Sequence, residues 1–383
     1  MDLIIHHYQG AKDIVKEDII ALVGKKKVTG EDKLTIIKDV SPKEIAILSF
    51  RLQSAIHLGV LLGKDKFSGT VEDSLSKIEK KFDQKTLDLF LKDANSFGVR
   101  TVKDGEVSIP SPDVSSSVGE WFFNQSKKEL DVKLKNPDLP ILAIITDSEL
   151  VISLDVIGFS LSKRPYKIAL HSGSINGVIA YTIARLSGMT KDSLIVDPFC
   201  GGGTIPIEVA TYKEETSSFP YENKFTGFRI PILKSSFEEV SKQILDKELS
   251  KEISVFGFDN MLKVIKGAQK NAKLSGVFTS ITLSKVDIDW VDSKFEQGEV
   301  DLIITNPPQI SNRNGNQKQI TKVYDDLFYQ GKYLLSKKGV LAVLLIHSDE
   351  AIEMASKHGF KVFQTIPVQS GGQKYDLIKF KQK

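Results

Sequence analysis

Leu194-Ile-Val-Asp-Pro-Phe-Cys-Gly-Gly-Gly-Thr-Ile-Pro-Ile-Glu-Val209 decides how this chain is read. A short apolar run rich in β-branched residues ends in a carboxylate, Asp197, passes through Gly201, Gly202 and Gly203, and resumes as an apolar pattern of helical type. That order spells strand, tight turn and helix. Glycine has no Cβ, so the backbone turns sharply there and lets a ligand approach the main chain, with Asp197 at the carboxyl end of the strand. No lysine follows the glycines, which excludes the phosphate-gripping loop, and a Gly-x-Gly-x-x-Gly pyrophosphate fingerprint is also missing. An acid at this place repels phosphate and suits a cationic or amine-bearing ligand, for which the amino-acid end of S-adenosyl-L-methionine is the candidate. Asp197, Pro198, Phe199, Cys200, Gly201, Gly203 and Thr204 are the candidate contacts. Taken alone, the stretch reads equally well as an ordinary βα loop of a parallel sheet.

At 383 residues the chain is too long for one typical domain, and two or three are expected. A net charge of +3 neither requires nor excludes a nucleic-acid partner, because clustering on one face matters more than the sum. Cys200 is the only cysteine, which excludes internal disulfides and any cysteine-rich metal site and fits a reducing compartment. No run of about 18 apolar residues occurs, and Met1-Asp-Leu-Ile-Ile-His-His lacks the basic segment and apolar core of a signal peptide. A soluble, cytoplasmic monomer with no membrane partner and no metal is the expectation.

Upstream, Leu3 to Tyr8 reads as a strand, Asp13 to Val23 as a helix and Leu34 to Val40 as a second strand. Ser41-Pro-Lys-Glu has the form of a helix start, with Ser41 as N-cap and Glu44 closing back on it, and the helix is expected to run toward Leu62. Val71 to Leu91 is amphipathic, with Leu75, Ile78, Phe82, Leu87 and Phe90 spaced for one face. Phe97 to Arg100, Ser111 to Gly119 and Val132 to Asp138, followed by Pro140 to Thr146 and Leu150 to Lys167, give strand, helix, strand and a hairpin-like pair. The order of these landmarks resembles the THUMP domain, a small RNA-binding module of RNA-modifying enzymes. The match covers roughly Leu61 to Lys167. Its closing Ser-Leu-Ser-Lys-Arg-Pro-Tyr-Lys departs from the usual Ser-Leu-His-Lys-Arg-Gly-Tyr-Arg, while Lys163, Arg164 and Tyr166 keep their character. The resemblance implies a grip on the end of an RNA acceptor stem through shape and phosphates, with Arg100, Lys133, Lys135, Lys163 and Arg164 as contacts. Each of these singly also reads as a solvated surface cation. Between this module and the glycine turn, Ile175 to Leu186 has helical spacing up to Gly188, and His171 stands within reach of the pocket.

Beyond Thr204 strands and helices alternate. Val255 to Asp259 is a strand, Leu262 to Leu274 a helix, Ile281 to Val286 a strand before Asp287, and Val300 to Thr305 a strand leading into Asn306-Pro-Pro-Gln. A helix up to Leu335, a strand from Gly339 to Ile346, a helix over Asp349 to His358 and strands at Lys361 to Val368 and Tyr375 to Lys381 complete the chain. Short βα units of this kind force a parallel sheet covered on both faces, with ligands at the carboxyl ends of the strands. Three strands therefore end in an acid on one rim. Asp197 faces the amino-acid end of the candidate cofactor, Asp259 beside Asn260 accepts its ribose hydroxyls, and Asp287 accepts its adenine amine with the Ile288 main chain alongside. Each acid alone also reads as a helix N-cap. In this order the motifs resemble the Rossmann-fold, class I methyltransferases from Leu170 to the end. The fold expected is α/β: a ferredoxin-like lead-in over residues 1–60, a THUMP α+β domain over 61–167 and a Rossmann-like, doubly wound sheet over 168–383.

Asn306, Pro307, Pro308 and Gln309 are the candidate catalytic group. The exocyclic amine of a guanine or adenine is a poor nucleophile because its lone pair is delocalised into the ring. Two acceptors, the Asn306 side-chain oxygen and the Pro307 carbonyl, hold the amine's protons and aim the lone pair, and proline suits this because it lacks an N–H and fixes the backbone. The base must leave its stack to arrive. The fourth position in such enzymes is usually an aromatic that stacks on the base; here it is Gln309. A simple strand-ending turn is the competing reading. The long insertion from Thr211 to Ile253 interleaves Phe225, Phe228 and Arg229, which suits RNA or an apolar cover, and Arg313 in the polar Ser311 to Lys318 segment is a candidate phosphate contact. The whole arrangement resembles the THUMP-containing tRNA guanosine-N2-methyltransferases, particularly the group acting at guanosine 6 of the acceptor stem. That resemblance implies S-adenosyl-L-methionine as cofactor and tRNA as partner. The departure at Gln309 leaves room for methylation of another tRNA or ribosomal guanosine, or for an RNA-binding protein that keeps the cofactor without turnover.

Overall fold

Ser41 nucleates the first well-defined helix through a closed capping box: its Oγ accepts from the Glu44 N–H at 3.3 Å, and its own N–H donates to Glu44 Oε2 at 2.8 Å. The computed structural model describes residues 1–170, 173–250, 254–309, 317–370 and 373–383. In chain order its first elements are β1 (Leu3–His7), α1 (Lys12–Val23), β2 (Val28–Gly30), β3 (Leu34–Ile37), α2 (Pro42–Arg51), β4 (Ala55–Lys66), α3 (Val71–Glu79), α4 (Gln84–Leu91), β5 (Ser96–Asp104), α5 (Ser111–Ser126), β6 (Asp131–Val132), β7 (Leu139–Thr146) and β8 (Glu149–Asp155). There follow α6 (Gly177–Leu186), β9 (Ile195–Asp197), α7 (Thr204–Lys213), α8 (Pro231–Leu245), β10 (Val255–Asp259), α9 (Leu262–Ser275), β11 (Thr282–Lys285), β12 (Val300–Thr305), α10 (Gln317–Leu334), β13 (Leu335–Leu345), α11 (Asp349–Lys357), β14 (Phe360–Ser370) and β15 (Gln373–Gln382).

The chain divides into two compact units, one of Met1–His7, Val15–Leu161 and Tyr221–Gln243, the other of Tyr8–Ile14, Ser162–Pro220 and Ile244–Lys383. The first is built on a single eight-stranded sheet of order β2-β3-β1-β4-β8-β7-β5-β6. Its opening β-α-β-β-α-β run has the ferredoxin-like order. Here the structure departs from the expected helix toward Leu62. The helix stops at Arg51, and β4 runs unbroken from Ala55 to Lys66, pairing with β1 through its first half and with β8 through its second. The Val71–Leu91 helix is also two helices, because Asp83 caps a fresh start by accepting from the Thr86 N–H at 3.0 Å. The sheet curls enough for one apolar cluster to join Ile4, Leu34 and Ile36 to Leu142, Ile144 and Val151. The same curl brings His6 Nε2 on β1 within 2.8 Å of Asp104 Oδ2 on β5.

The second unit carries a seven-stranded sheet of order β11-β10-β9-β12-β13-β15-β14. Strands β9 to β13 are parallel, and the closing β14–β15 hairpin is antiparallel, with β15 inserted against β13. Strand residues alternate between two cores. Ile195, Leu302, Ile304, Ala342 and Leu344 pack with α6, α7 and α9, whereas Val196, Ile303, Leu341, Val343 and Leu345 pack with α10 and α11. That period of two with both faces buried is the doubly covered sheet expected from the βα alternation. The chain leaves β9 toward β10 and β11, then returns to β12 on the other side. The gap between the carboxyl ends of β9 and β12 is therefore the topological switch point, where sheets of this kind bind ligands. No helix among the described residues is long and apolar enough to cross a membrane.

Candidate active site

At the switch point, Gly201 and Gly203 adopt φ of 51° and 79°, the left-handed region that glycine occupies without strain. A Cβ on Gly203 would lie 3.1 Å from that of Ala268, so the turn also needs glycine for close packing on α9. The Cys200 N–H donates to the Phe258 carbonyl of β10 at 2.8 Å, tying the turn to the neighbouring strand. Asn271, read from sequence only as part of a helix, is fully buried and completes the tie. Its Nδ2 donates to the carbonyls of Gly202 (2.9 Å) and Ala169 (3.0 Å), and its Oδ1 accepts from the N–H groups of Ile168 (3.1 Å) and Ala169 (3.0 Å). A polar residue on the apolar side of α9 was the available signal. Within the turn Pro198, Cys200, Gly203 and Thr204 are buried, while Phe199 and Gly201 are partly open. Burial, helped by Asp197 and Asp259, pushes the Cys200 thiol up, which leaves it an inert packing group.

Asp197 is 2% exposed. Its Oδ1 accepts from Thr305 Oγ1 at 2.7 Å and from the Phe199 N–H at 3.2 Å. Burial pushes its carboxyl up to about 7; the two hydrogen bonds oppose this and Asp259 adds to it. The acid thus clamps the end of β9 to the end of β12 from beneath the turn, a placement that differs from the open contact expected of it. Asp259 is half-buried, with Oδ1 accepting from the Met261 N–H at 2.9 Å. Asp287 is exposed, and Ile288 beside it is buried. Asn260 and Asp287 line a cavity of about 550 Å³ together with Met261, Lys285, Val286, Trp290, Ser293 and Lys294. None of the last six was singled out from sequence, although Trp290 is 68% exposed, an unusual position for an indole.

Across the switch point, the orientation of both amides of the Asn306–Gln309 segment is set by backbone partners of fixed polarity. The Gly173 carbonyl can only accept, so Asn306 Nδ2 faces it at 2.8 Å and Asn306 Oδ1 turns the other way. Ile346 N–H can only donate, and it meets Gln309 Oε1 at 3.0 Å. Gln309 Nε2 consequently donates toward Leu344 O (2.9 Å), Pro307 O (2.9 Å) and Asn306 Oδ1 (3.2 Å). The two acceptors expected from sequence therefore converge on one planar NH₂ group.

The expected RNA contacts separate sharply. Lys133, Lys135, Lys163 and Arg229 are exposed. Arg100 is partly exposed and donates to Asp155 Oδ2 at 2.6 Å. Arg164 is only 4% exposed, which corrects its reading as a phosphate contact: its guanidinium forks onto the buried Glu208 of α7, Nε to Oε1 at 2.8 Å and Nη2 to Oε2 at 3.1 Å. Tyr166 Oη joins the same carboxylate at 2.7 Å. Arg164 and Tyr166 are buried while Lys163 and Pro165 are exposed, an alternation that marked the inward pair. In the insertion, Phe225 and Phe228 pack with Phe50 and Phe237, Phe225 at 4.9 Å and Phe228 at 6.1 Å from the Phe50 ring, so they form an apolar core. Arg313 and His171 lie outside the described residues. No group of three or more side chains among the described residues is placed to hold a metal ion.

Known proteins share this architecture. A tRNA (guanine(6)-N2)-methyltransferase of Methanocaldococcus jannaschii is 27% identical over 97% of this chain and 97% of its own. Among solved structures, a possible methylase of Clostridium difficile 630 superposes with a TM-score of 0.80 at 21% identity, covering 100% of this chain and 98% of that one. Another, complexed with SAH, gives 0.76 at 21% identity, again covering 100% and 98%. Residues 72–155 match the THUMP domain. Residues 164–376, which hold the glycine turn, the three acids and Asn306 to Gln309, match the RMKL-like methyltransferase domain, and the chain belongs to that family, UPF0020.

Proposed function

We propose that this chain methylates the exocyclic N2 amine of a guanosine in tRNA, with guanosine 6 of the acceptor stem as the first position to test. The observation that carries the reading is the convergence of Asn306 Oδ1 and the Pro307 carbonyl on one planar NH₂ group beside the switch point. A guanine N2 amine is such a group. The archaeal relative, similar along its whole length, is named for this activity.

The residues on the rim fit S-adenosyl-L-methionine. No lysine or arginine stands in the glycine turn, the carboxylates of Asp197 and Asp259 act on it, and the cavity at Asn260 and Asp287 offers room and polar partners for an adenosine. When bound, this cofactor supplies an electrophilic methyl group. The half-open backbone of Phe199 and Gly201 would hold its amino-acid end, Asp259 its ribose hydroxyls, and Asp287 with the Ile288 main chain its adenine. Asp197 acts from below, adding negative potential and holding the β9 and β12 ends in register. Asn306 Oδ1 and Pro307 O accept the two protons of the incoming amine, which draws its lone pair out of conjugation and aligns it; the contribution is mainly positional. Asn306 keeps this aim because Gly173 fixes its other end. The exposed Lys133, Lys135, Lys163 and Arg229 supply phosphate contacts to the RNA.

Purified protein incubated with unmodified tRNA transcripts and labelled cofactor is expected to yield N2-methylguanosine, mapped by nuclease digestion and mass spectrometry. Cofactor binding without transfer to any guanosine would falsify the proposal. That outcome favours a non-catalytic RNA-binding protein, for which Gln309 lying across both acceptors is the one supporting observation.

A further inference from the structure

Gln309 Nε2 stands where the reaction needs the target amine. It is a planar, two-proton amide nitrogen, the same kind of group as a guanine N2, and it donates toward both acceptors at 3.2 and 2.9 Å. The remainder of the carboxamide is pinned like a piece of strand on the end of β13, Nε2 toward Leu344 O at 2.9 Å and Oε1 from the Ile346 N–H at 3.0 Å. Three acceptors compete for two protons on that nitrogen, so at least one of the contacts is shared and weak.

We propose that Gln309 is a place-holder: in the free protein its carboxamide fills the target-amine position, and a base edge bearing its own NH₂ takes over the two acceptors as the carboxamide withdraws. This rests on the methyltransferase reading above. In the free state Gln309 occupies two acceptors that would otherwise be left to water, and an entering base excludes that water. An entering guanine N2 amine restores both acceptor contacts as Gln309 withdraws. A base presenting only a carbonyl or a C–H at that edge, such as hypoxanthine, would leave Asn306 Oδ1 and Pro307 O facing no donor. Rejection then comes from unpaired polar groups, which discriminate more strongly than lost apolar contact. As it withdraws, the carboxamide releases Leu344 O together with the two acceptors, because one nitrogen serves all three, and Oε1 keeps the Ile346 N–H as its pivot. The aromatic residue that the resemblance leads one to expect at position 309 carries no planar two-proton nitrogen.

The test uses full-length protein and tRNA carrying 2-aminopurine at the methylated position, a base that keeps the N2-type amine and fluoresces when unstacked. Gln309→Ala and the near-isosteric Gln309→Met are compared with wild type for the captured, unstacked fraction and for kcat and KM on unmodified tRNA. With the place-holder gone, the unstacked fraction rises and KM falls roughly tenfold, the value of about one net hydrogen bond, so that kcat/KM increases. In the same variants, tRNA with inosine at that position gains the same factor as guanosine tRNA and stays the weaker ligand, because the contact that Gln309 gives up is common to both and Asn306 Oδ1 and Pro307 O face no donor on inosine. A fall in kcat with KM and fluorescence unchanged, in both variants, would mean that Gln309 merely props up Asn306 and Pro307, and overturns the proposal. Absence of transfer by wild type itself overturns the methyltransferase reading and the place-holder with it, an outcome distinct from the first.

Discussion

Replacing Asp197 by asparagine should stabilise the protein, and more so in alkaline solution. The side chain is 2% exposed and burial lifts its carboxyl from an ordinary 3.8 to about 7. An acid whose folded value lies above its unfolded value weakens the fold as the pH climbs past the unfolded value, and the loss is complete once the folded value is passed. At about 1.4 kcal/mol per pH unit, the interval implies roughly 4 kcal/mol of destabilisation at pH 8 and roughly 2 kcal/mol at pH 5. Asparagine keeps a carbonyl oxygen for Thr305 Oγ1 and the Phe199 N–H and carries no charge, so the strand clamp survives. The variant is therefore expected to gain about 2–3 kcal/mol more over wild type at pH 8 than at pH 5. Urea unfolding at the two pH values measures this. A Trp121→Phe background leaves Trp290 as the only tryptophan, and so restricts the signal to the unit that carries the site. A gain independent of pH would refute the argument, because it would mean that Asp197 is already neutral, or already solvated, across the whole range. The cofactor provides a second reading of the same charge: a cation above the turn favours the ionised acid, so wild-type affinity should rise between about pH 6 and pH 8 and the variant's should stay flat.

Asn306→Ala removes one of the two amine acceptors, and transfer should fall by at least about a hundredfold while cofactor affinity, measured by calorimetry, changes less than about twofold. Arg164→Met takes the guanidinium from the buried Glu208 carboxylate; a loss of roughly 3 kcal/mol in unfolding free energy is expected, and a drop in RNA affinity of the still-folded protein would instead restore Arg164 as a contact. Replacing Lys133 and Lys135 together by alanine should weaken tRNA binding at low salt and reduce the slope of log affinity against log salt by up to about two, without altering unfolding; an unchanged slope removes both from the interface.

The site was largely legible because its parts are local. A strand ending in an acid, a glycine turn and an Asn-Pro-Pro segment each occupy a few consecutive residues, and βα alternation then places them on one rim whatever the details of packing. The partners of those parts come from far along the chain and were not legible. Thr305 reaches Asp197 across 108 positions, Asn271 reaches Ala169 across 102, and Gly173 orients Asn306 across 133. Charge type likewise says little about placement. Lys163 and Arg164 are adjacent cations of the same motif, yet one is solvated and the other sealed against Glu208, a choice made by which side of an extended segment each faces.

The fold was misread at β4 for a related reason. Ser41-Pro-Lys-Glu states where a helix begins, and the apolar residues after it suit a helix as well as a strand, so only a stop signal could have separated α2 from β4. None of the usual kind is present: Gln53-Ser-Ala contains no glycine or proline, and the helix ends where Leu52, its N–H still bonded to Leu48 O, leaves helical geometry at ψ 86°. What makes the following residues a strand is the company they keep. Leu3↔Val60 and Ile5↔Leu58 pair on one side, Leu61↔Ser153 and Lys64↔Val151 on the other, so β4 belongs to both halves of the sheet. A domain border inferred at residue 60 rests on family resemblance covering the second half alone. Hydrogen bonding is continuous through that point, and the strands of the lead-in and of the THUMP segment pair in one sheet.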